Sequence, residues 1–202
     1  MHTSIPGLEA TAPQPLPFAP SLVIRSYLVE RPGGDLLVYG AGVPVGLGDV
    51  TARYLNHWHE AMFAGPLEGV PTLVHELDRE QAASRMPVDG TFAEPSTLGD
   101  DFEIVPIPGH TPGATAFLWE GALFTGDSIY LDGDDWVVAL DVAGSDRARF
   151  LESLELVREL EYERLVPWAA PVGHAGYAST DATDARRRID AIIARVRRGE
   201  SR

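Results

Sequence analysis

The sequence predicts an α+β fold in which strand and helix layers pack together rather than alternate as regular βαβ units. Strand-like segments come in runs, helical segments are interspersed and late, and several strands end in Gly- or Pro-rich loops. Residues 22–30 (LVIRSYLVE) and 35–39 (DLLVY) read as strands joined by the Pro32-Gly33-Gly34 turn. GAGVPVGLG is loop, VPTLVH (70–75) a short strand, and ELDREQAAS after it has helical composition. Residues 86–100 are turn-rich. FEIVPIP (102–108) is a strand leading into GHTPG, and residues 114–127 form a hairpin turning at Glu120-Gly121. Ser145-Asp146 caps a helix through about Leu160, with Phe150, Leu151, Leu154, Val157 and Leu160 at helical spacing. RLVPWAAPVGH (164–174) is a last short strand and loop. Residues 181–198 close the chain as a helix with Ile189, Ile192, Ile193 and Val196 inward.

Composition narrows the function classes. The 202 residues are 45% hydrophobic, enough for a core in one domain. Without cysteine there is no disulfide, thiolate metal site or cysteine nucleophile, so any metal is held by His, Asp or Glu. The net charge is -14, and all 16 basic residues are arginine. Seven arginines lie in the last 17 residues, which carry +5 and leave -19 on residues 1–185. So acidic a body repels phosphate backbones and argues against nucleic acid as a partner. The arginine run reads as the solvated face of the terminal helix.

Residues 1–20 have no basic segment and apolar core of a secretory leader, and five prolines interrupt them. No apolar run reaches the ~18–20 residues of a membrane span. The expectation is a soluble, cytoplasmic protein with residues 1–20 as a flexible arm and residues 21–202 as a single domain.

The chemistry-bearing residues are few. Of six histidines, His57 and His59 lie in NHWHEAM, His110 in PGHTPG and His174 in PVGH, while Asp127 lies in FTGDS. On extended chain, i and i+2 side chains share a side, which brings His57 and His59 together. Pro108 and Pro112 stiffen the His110 loop while Gly109 and Gly113 permit its turns. Gly126 turns Asp127 back across the strand ends. Three histidines and a carboxylate suit zinc, and also iron or manganese. His75 reads as structural. Trp58 can wall a cleft or be buried, and Tyr130 and Tyr177 lie close enough in sequence to reach a substrate.

With these motifs the chain resembles the metallo-β-lactamase superfamily, in the glyoxalase II-like branch of small hydrolases, over about residues 22–176. PGHTPGATAFLWEGALFTGDS is the most specific stretch. NHWHEAM falls where that family has His-x-His-x-Asp-His, and VGH matches its last metal-binding histidine. The resemblance implies a four-layer αβ/βα sandwich with a metal in a cleft at one edge of two sheets. It implies His57, His59 and His110 as a first metal site, Asp127 as the bridging carboxylate and His174 as a ligand of a second site. Ala61 and Met62 fall where the second site needs Asp and His, so that site is degenerate. The supporting Asp-x-Gly is also missing from VYGAG. Glu60, beside His59 on extended chain, is expected to point away from the metal.

The implied activity is hydrolysis of a small ester, thioester or lactone. One divalent ion, zinc first and iron or manganese next, supplies the water nucleophile. Asp127 orients that water or takes its proton, and His174 serves as acid or base. The alternatives are a non-catalytic member that binds a ligand or partner, and an iron oxygenase resembling persulfide dioxygenases with His57, His110 and Asp127 as its ligands. The partner is a small-molecule substrate, with no nucleic acid and no membrane.

Overall fold

The computed structural model describes residues 5–42, 49–140 and 142–201. Two six-stranded sheets face each other. The first runs in the order Leu8–Ala10 (β1), Tyr27–Val29 (β4), Asp35–Val38 (β5), Val50–Tyr54 (β6), Thr72–His75 (β7) and Gly90–Phe92 (β8). The second runs Ala178–Ser179 (β17), Arg164–Pro167 (β15), Ala122–Gly126 (β12), Thr115–Trp119 (β11), Phe102–Pro106 (β10) and Ser96–Leu98 (β9). Gln14–Leu16 (β2), Ala19–Ile24 (β3) and Ala169–Pro171 (β16) form a small sheet, and Tyr130–Asp132 (β13) pairs with Asp135–Val137 (β14).

Strand alternation explains the layering. On β11, Phe117 and Trp119 enter the core between the sheets, with Leu36, Val38, Tyr54 and Phe124. Ala116 and Leu118 point the other way, toward the helices Arg147–Glu159 (α2) and Ala182–Arg197 (α3). Those helices bury Phe150, Leu154 and Val157, and Ile189, Ile192, Ile193 and Val196, against the second sheet. A third cluster joins Val74 of the first sheet to Ala82 of the short helix Arg79–Ala83 (α1) and Met86. The mixed α and β layering expected from the sequence is present. Among the described residues, no helix is long and apolar enough to cross a membrane.

Local chemistry sets the boundaries. Asp146 Oδ1 accepts the Ala148 and Arg149 N–H groups, and Asp181 Oδ1 those of Thr183 and Asp184, so each of the two long helices starts on an aspartate cap. Trp119 pairs with Ala122 across Glu120 and Gly121, which both have positive φ, the two-residue hairpin turn. The α3 arginines are held on its surface: Arg188 bonds Asp184 and Asp134, Arg195 the Trp136 carbonyl and Arg197 Glu155.

Two expectations are corrected here. The stretch 22–30 is two strands, β3 and β4, in different sheets. At the crossing, Ser26 donates its hydroxyl to the Tyr39 carbonyl and accepts the Ala41 N–H. Within residues 1–20, the described part holds β1 and β2 rather than an arm, because Leu8–Ala10 pairs with Tyr27–Val29 and Gln14–Leu16 with β3.

Candidate metal centre

Three chain segments deliver the site, at the meeting point of both sheets. The chain leaves β6 through Asn56 and His57 and enters a 3-10 helix, Trp58–Met62. The 107–114 loop after β10 carries His110. Its Gly109 is packed so closely that a Cβ there would lie 2.5 Å from the Phe150 Cα. Asp127 follows Gly126, whose φ of +59° and close approach to Asn56, which a Cβ would strike, admit only glycine.

His57, His59, His110 and Asp127 each place a ligand atom within 4.8 Å of the others. The three imidazole rings stand 4.8 to 5.0 Å apart between centroids and nearly perpendicular to one another. Hydrogen bonds fix which nitrogen faces inward. His57 Nδ1 is 3.1 Å from Glu60 Oε1, and His110 Nδ1 is 2.7 Å from the Ala139 carbonyl. Each Nδ1 is therefore a donor, and each Nε2 turns to the cluster. His59 presents Nδ1, 3.1 Å from His110 Nε2.

A cation fits this arrangement. His57 Nε2 is buried and has no hydrogen-bond partner, while Asp127 Oδ2 lies 3.7 Å away, beyond hydrogen-bond range. Burial opposes charge on His57, but Asp127 and Glu60 on its two sides outweigh burial and raise its pKa to about 10. Positive charge is thus favoured at Nε2, where an ion would replace the proton. Burial and the charge on His57 push His110 down to about 4 and His59 to about 3, which keeps both lone pairs available. Burial raises the Asp127 pKa, but the three histidines more than offset it and hold the carboxylate ionised.

Glu60 stays outside the ligand cluster, as expected, but for another reason. It is fully buried, and the extended-chain argument fails because residues 58–62 are helical. Its Oε1 also accepts the Asn56 N–H, and its Oε2 the Gly40 N–H. It points inward as a carboxylate that orients His57. Asp78 is a second group the motifs did not reveal. It is buried; Oδ2 accepts from the Trp58 N–H and the Thr111 hydroxyl, and Oδ1 from the Gly113 N–H. It ties the His57/His59 segment to the His110 loop. The only sequence signal for it was an acidic residue three positions after His75.

The structure does not bring His174 into the cluster. Its Nδ1 accepts the Gly176 N–H, and its carbonyl accepts from Arg25. Ala61 is buried among Leu55, Val74, Ala82 and Met86, whereas Met62 is 47% exposed. His75 is structural: Nε2 meets the Ala93 carbonyl and Nδ1 accepts the Leu77 N–H. Beside the cluster lies a cavity of about 410 Å³, with His59, His110 and Asp127 in its lining and Trp58, Met62, Tyr130 and Trp168 among its walls.

Comparison with known proteins places this geometry. The chain has the metallo-β-lactamase fold, and its solved neighbours are proteins of that superfamily. A metallo-β-lactamase from Pontibacter korlensis superposes with a TM-score of 0.69 at 18% identity, covering 94% of this chain and 99% of that one. The metallo-β-lactamase FIM-1 from Pseudomonas aeruginosa, in a mono-zinc form, gives 0.70 at 16% identity, covering 95% of each chain. In sequence, the hydroxyacylglutathione hydrolase of Halorhodospira halophila is 34% identical over 76 residues, 37% of this chain and 26% of that protein. Its counterpart in Xanthomonas axonopodis pv. citri is 28% identical over 100 residues, 49% of this chain and 33% of that protein. The chain thus spans between about a quarter and a third of the length of these curated relatives. No family model matches it.

Proposed function

We propose that this chain is a metal-dependent hydrolase of a small ester, thioester or lactone, working with one ion, zinc in the first instance. The observation that carries the reading is the convergence of three imidazole nitrogens and the Asp127 carboxylate beside a largely apolar cavity. His57 Nε2, His59 Nδ1 and His110 Nε2 would hold the ion, with Asp127 beside it. An ion so held polarises a carbonyl and lowers the pKa of its water toward ~7.

The chain's own groups do the rest. Asp127, kept ionised by the histidines, orients the attacking water and takes its proton. Glu60 and the Ala139 carbonyl hold the His57 and His110 rings in one tautomer and pose. A single ion is favoured because Ala61 and Met62 offer no strong ligand and His174 stands outside the cluster.

Elemental analysis of the purified protein beside its His110→Ala variant tests this. About one equivalent of metal, lost in the variant, supports the reading, and the element separates hydrolysis from oxygen chemistry. Protein that takes up no zinc, iron or manganese on incubation would refute it.

A further inference from the structure

The cavity beside the metal centre is almost entirely apolar. Apart from His59, His110 and Asp127, it is lined by aliphatic and aromatic side chains, with Leu16 and Leu22 of the small sheet opposing Trp58, Met62, Phe63 and Trp168. No arginine is in that lining among the described residues, and the chain contains no lysine. Arg85 stands over the Trp58 ring, 4.6 Å from its centroid, but its guanidinium bonds the Gln81 carbonyl and the Ser84 hydroxyl. Arg25 is committed to the His174 carbonyl.

With the substrate carbonyl at the histidine cluster, an anionic group elsewhere on the substrate loses its hydration and finds no arginine or lysine in the described lining of a protein of net charge -14. A neutral aliphatic chain loses nothing on entry and gains from leaving water. The hydroxyacylglutathione in the name of the curated relatives carries carboxylates for which the described lining offers no arginine or lysine.

We propose that the substrate is a neutral ester or lactone whose aliphatic acyl chain fills the apolar cavity while its carbonyl lies at the histidine cluster. This rests on the hydrolase reading above and narrows it. In the reaction, the water oxygen bonds to the acyl carbon and the acyl carbon–oxygen bond breaks. The proton released to Asp127 passes to the departing alkoxide, giving a carboxylic acid and an alcohol from an ester, or one hydroxy acid from a lactone, with no oxidant or reductant.

The test uses metal-loaded protein and nitrophenyl acetate, butyrate, hexanoate and octanoate. Burial of each methylene is worth about 0.8 kcal/mol, so kcat/KM is expected to rise about fourfold per carbon until the cavity is full. Esters of matching length ending in a carboxylate should be at least about tenfold poorer. Met62→Arg, at the partly exposed rim, should close that gap by about tenfold, because a guanidinium then pairs the terminal carboxylate. Neutral methyl ketones of the same chain lengths, which cannot be hydrolysed, give a readout without turnover through fluorescence of Trp58 and Trp168 in the metal-free protein.

The outcomes separate the two claims. Ketone binding that tightens with chain length but no ester hydrolysis refutes the hydrolase reading and upholds the apolar ligand class. Hydrolysis with flat chain-length dependence, or faster with the carboxylate-ended esters, overturns the substrate proposal and leaves the hydrolase. Neither binding nor hydrolysis overturns both.

Discussion

Replacing Glu60 by glutamine keeps the shape of the side chain and removes its charge and half its acceptor capacity. In the native site one carboxylate serves three donors: the Asn56 N–H at 3.1 Å, His57 Nδ1 at 3.1 Å and the Gly40 N–H at 3.0 Å. A carboxamide has one acceptor oxygen. If that oxygen keeps Asn56 and His57, the amide nitrogen faces the Gly40 N–H, donor against donor. If it flips, His57 loses the partner that fixes its tautomer. Breaking a buried charged pair costs about 3–5 kcal/mol. For a domain of this size that corresponds to a Tm loss on the order of 6–20 °C in the metal-free protein.

The loss of an orienting partner also weakens metal binding, by about 10- to 100-fold for groups in this role. Competition against a chelator of known affinity measures the second effect, and circular dichroism melting the first. The discriminating result is metal affinity. A Glu60→Gln protein that melts lower but binds zinc as tightly as the parent would show that Glu60 braces the fold without orienting His57, and the reasoning fails.

Asp78→Ala orphans the Trp58 and Gly113 N–H groups at about 1–3 kcal/mol each and uncouples the two histidine-bearing segments. Urea unfolding should show that cost and chelator competition a weaker site, with Asp78→Asn between the two. Metal-free protein should be most stable near pH 6.5. His110, with a folded pKa of about 4 against 6.5 unfolded, contributes stability that is full above pH 6.5 and is lost as pH falls toward 4, on the order of 3 kcal/mol. His57, raised to about 10, contributes stability that is full below pH 6.5 and is lost as pH rises toward 10. Melting temperature against pH checks both limbs, and a flat alkaline limb would contradict the account of His57. Ala61→Asp should destabilise by several kcal/mol without adding a second ion, because its side chain faces Leu55, Val74 and Met86. Two bound equivalents in that variant, measured by elemental analysis, would overturn this placement.

Much of the centre was legible because its residues sit in local motifs. Gly and Pro around His110, and Gly126 before Asp127, impose backbone shapes that a sequence displays directly. The α2 and α3 helices were legible for the same reason, through a cap and a sustained apolar period. What escaped notice was short or non-local. β8, β9, β13 and β14 have three residues each, too few for alternation to register. Asp78 acts on Thr111 and Gly113 across more than thirty positions, so nothing beside it in sequence announces its role.

The extended-chain argument for Glu60 failed on backbone shape, and the same shape accounts for the neighbouring residues. On extended chain the side chains of residues 58–62 would alternate between two faces. In a 3-10 helix they take three faces, and residues three apart coincide. Glu60 therefore falls back on His57, its partner at i−3. Ala61 falls with Trp58, and both pack against the apolar cluster around α1. Met62 falls with His59, and both line the cavity. One turn of helix thus assigns a carboxylate to support, a methyl to packing and a thioether to the cavity wall. Glu60 thereby supports His57, and the segment just after β5 answers through the Gly40 N–H. Ligands placed at positions 61 and 62 would therefore face different surroundings, the apolar cluster for one and the cavity for the other, and would not meet on a second ion.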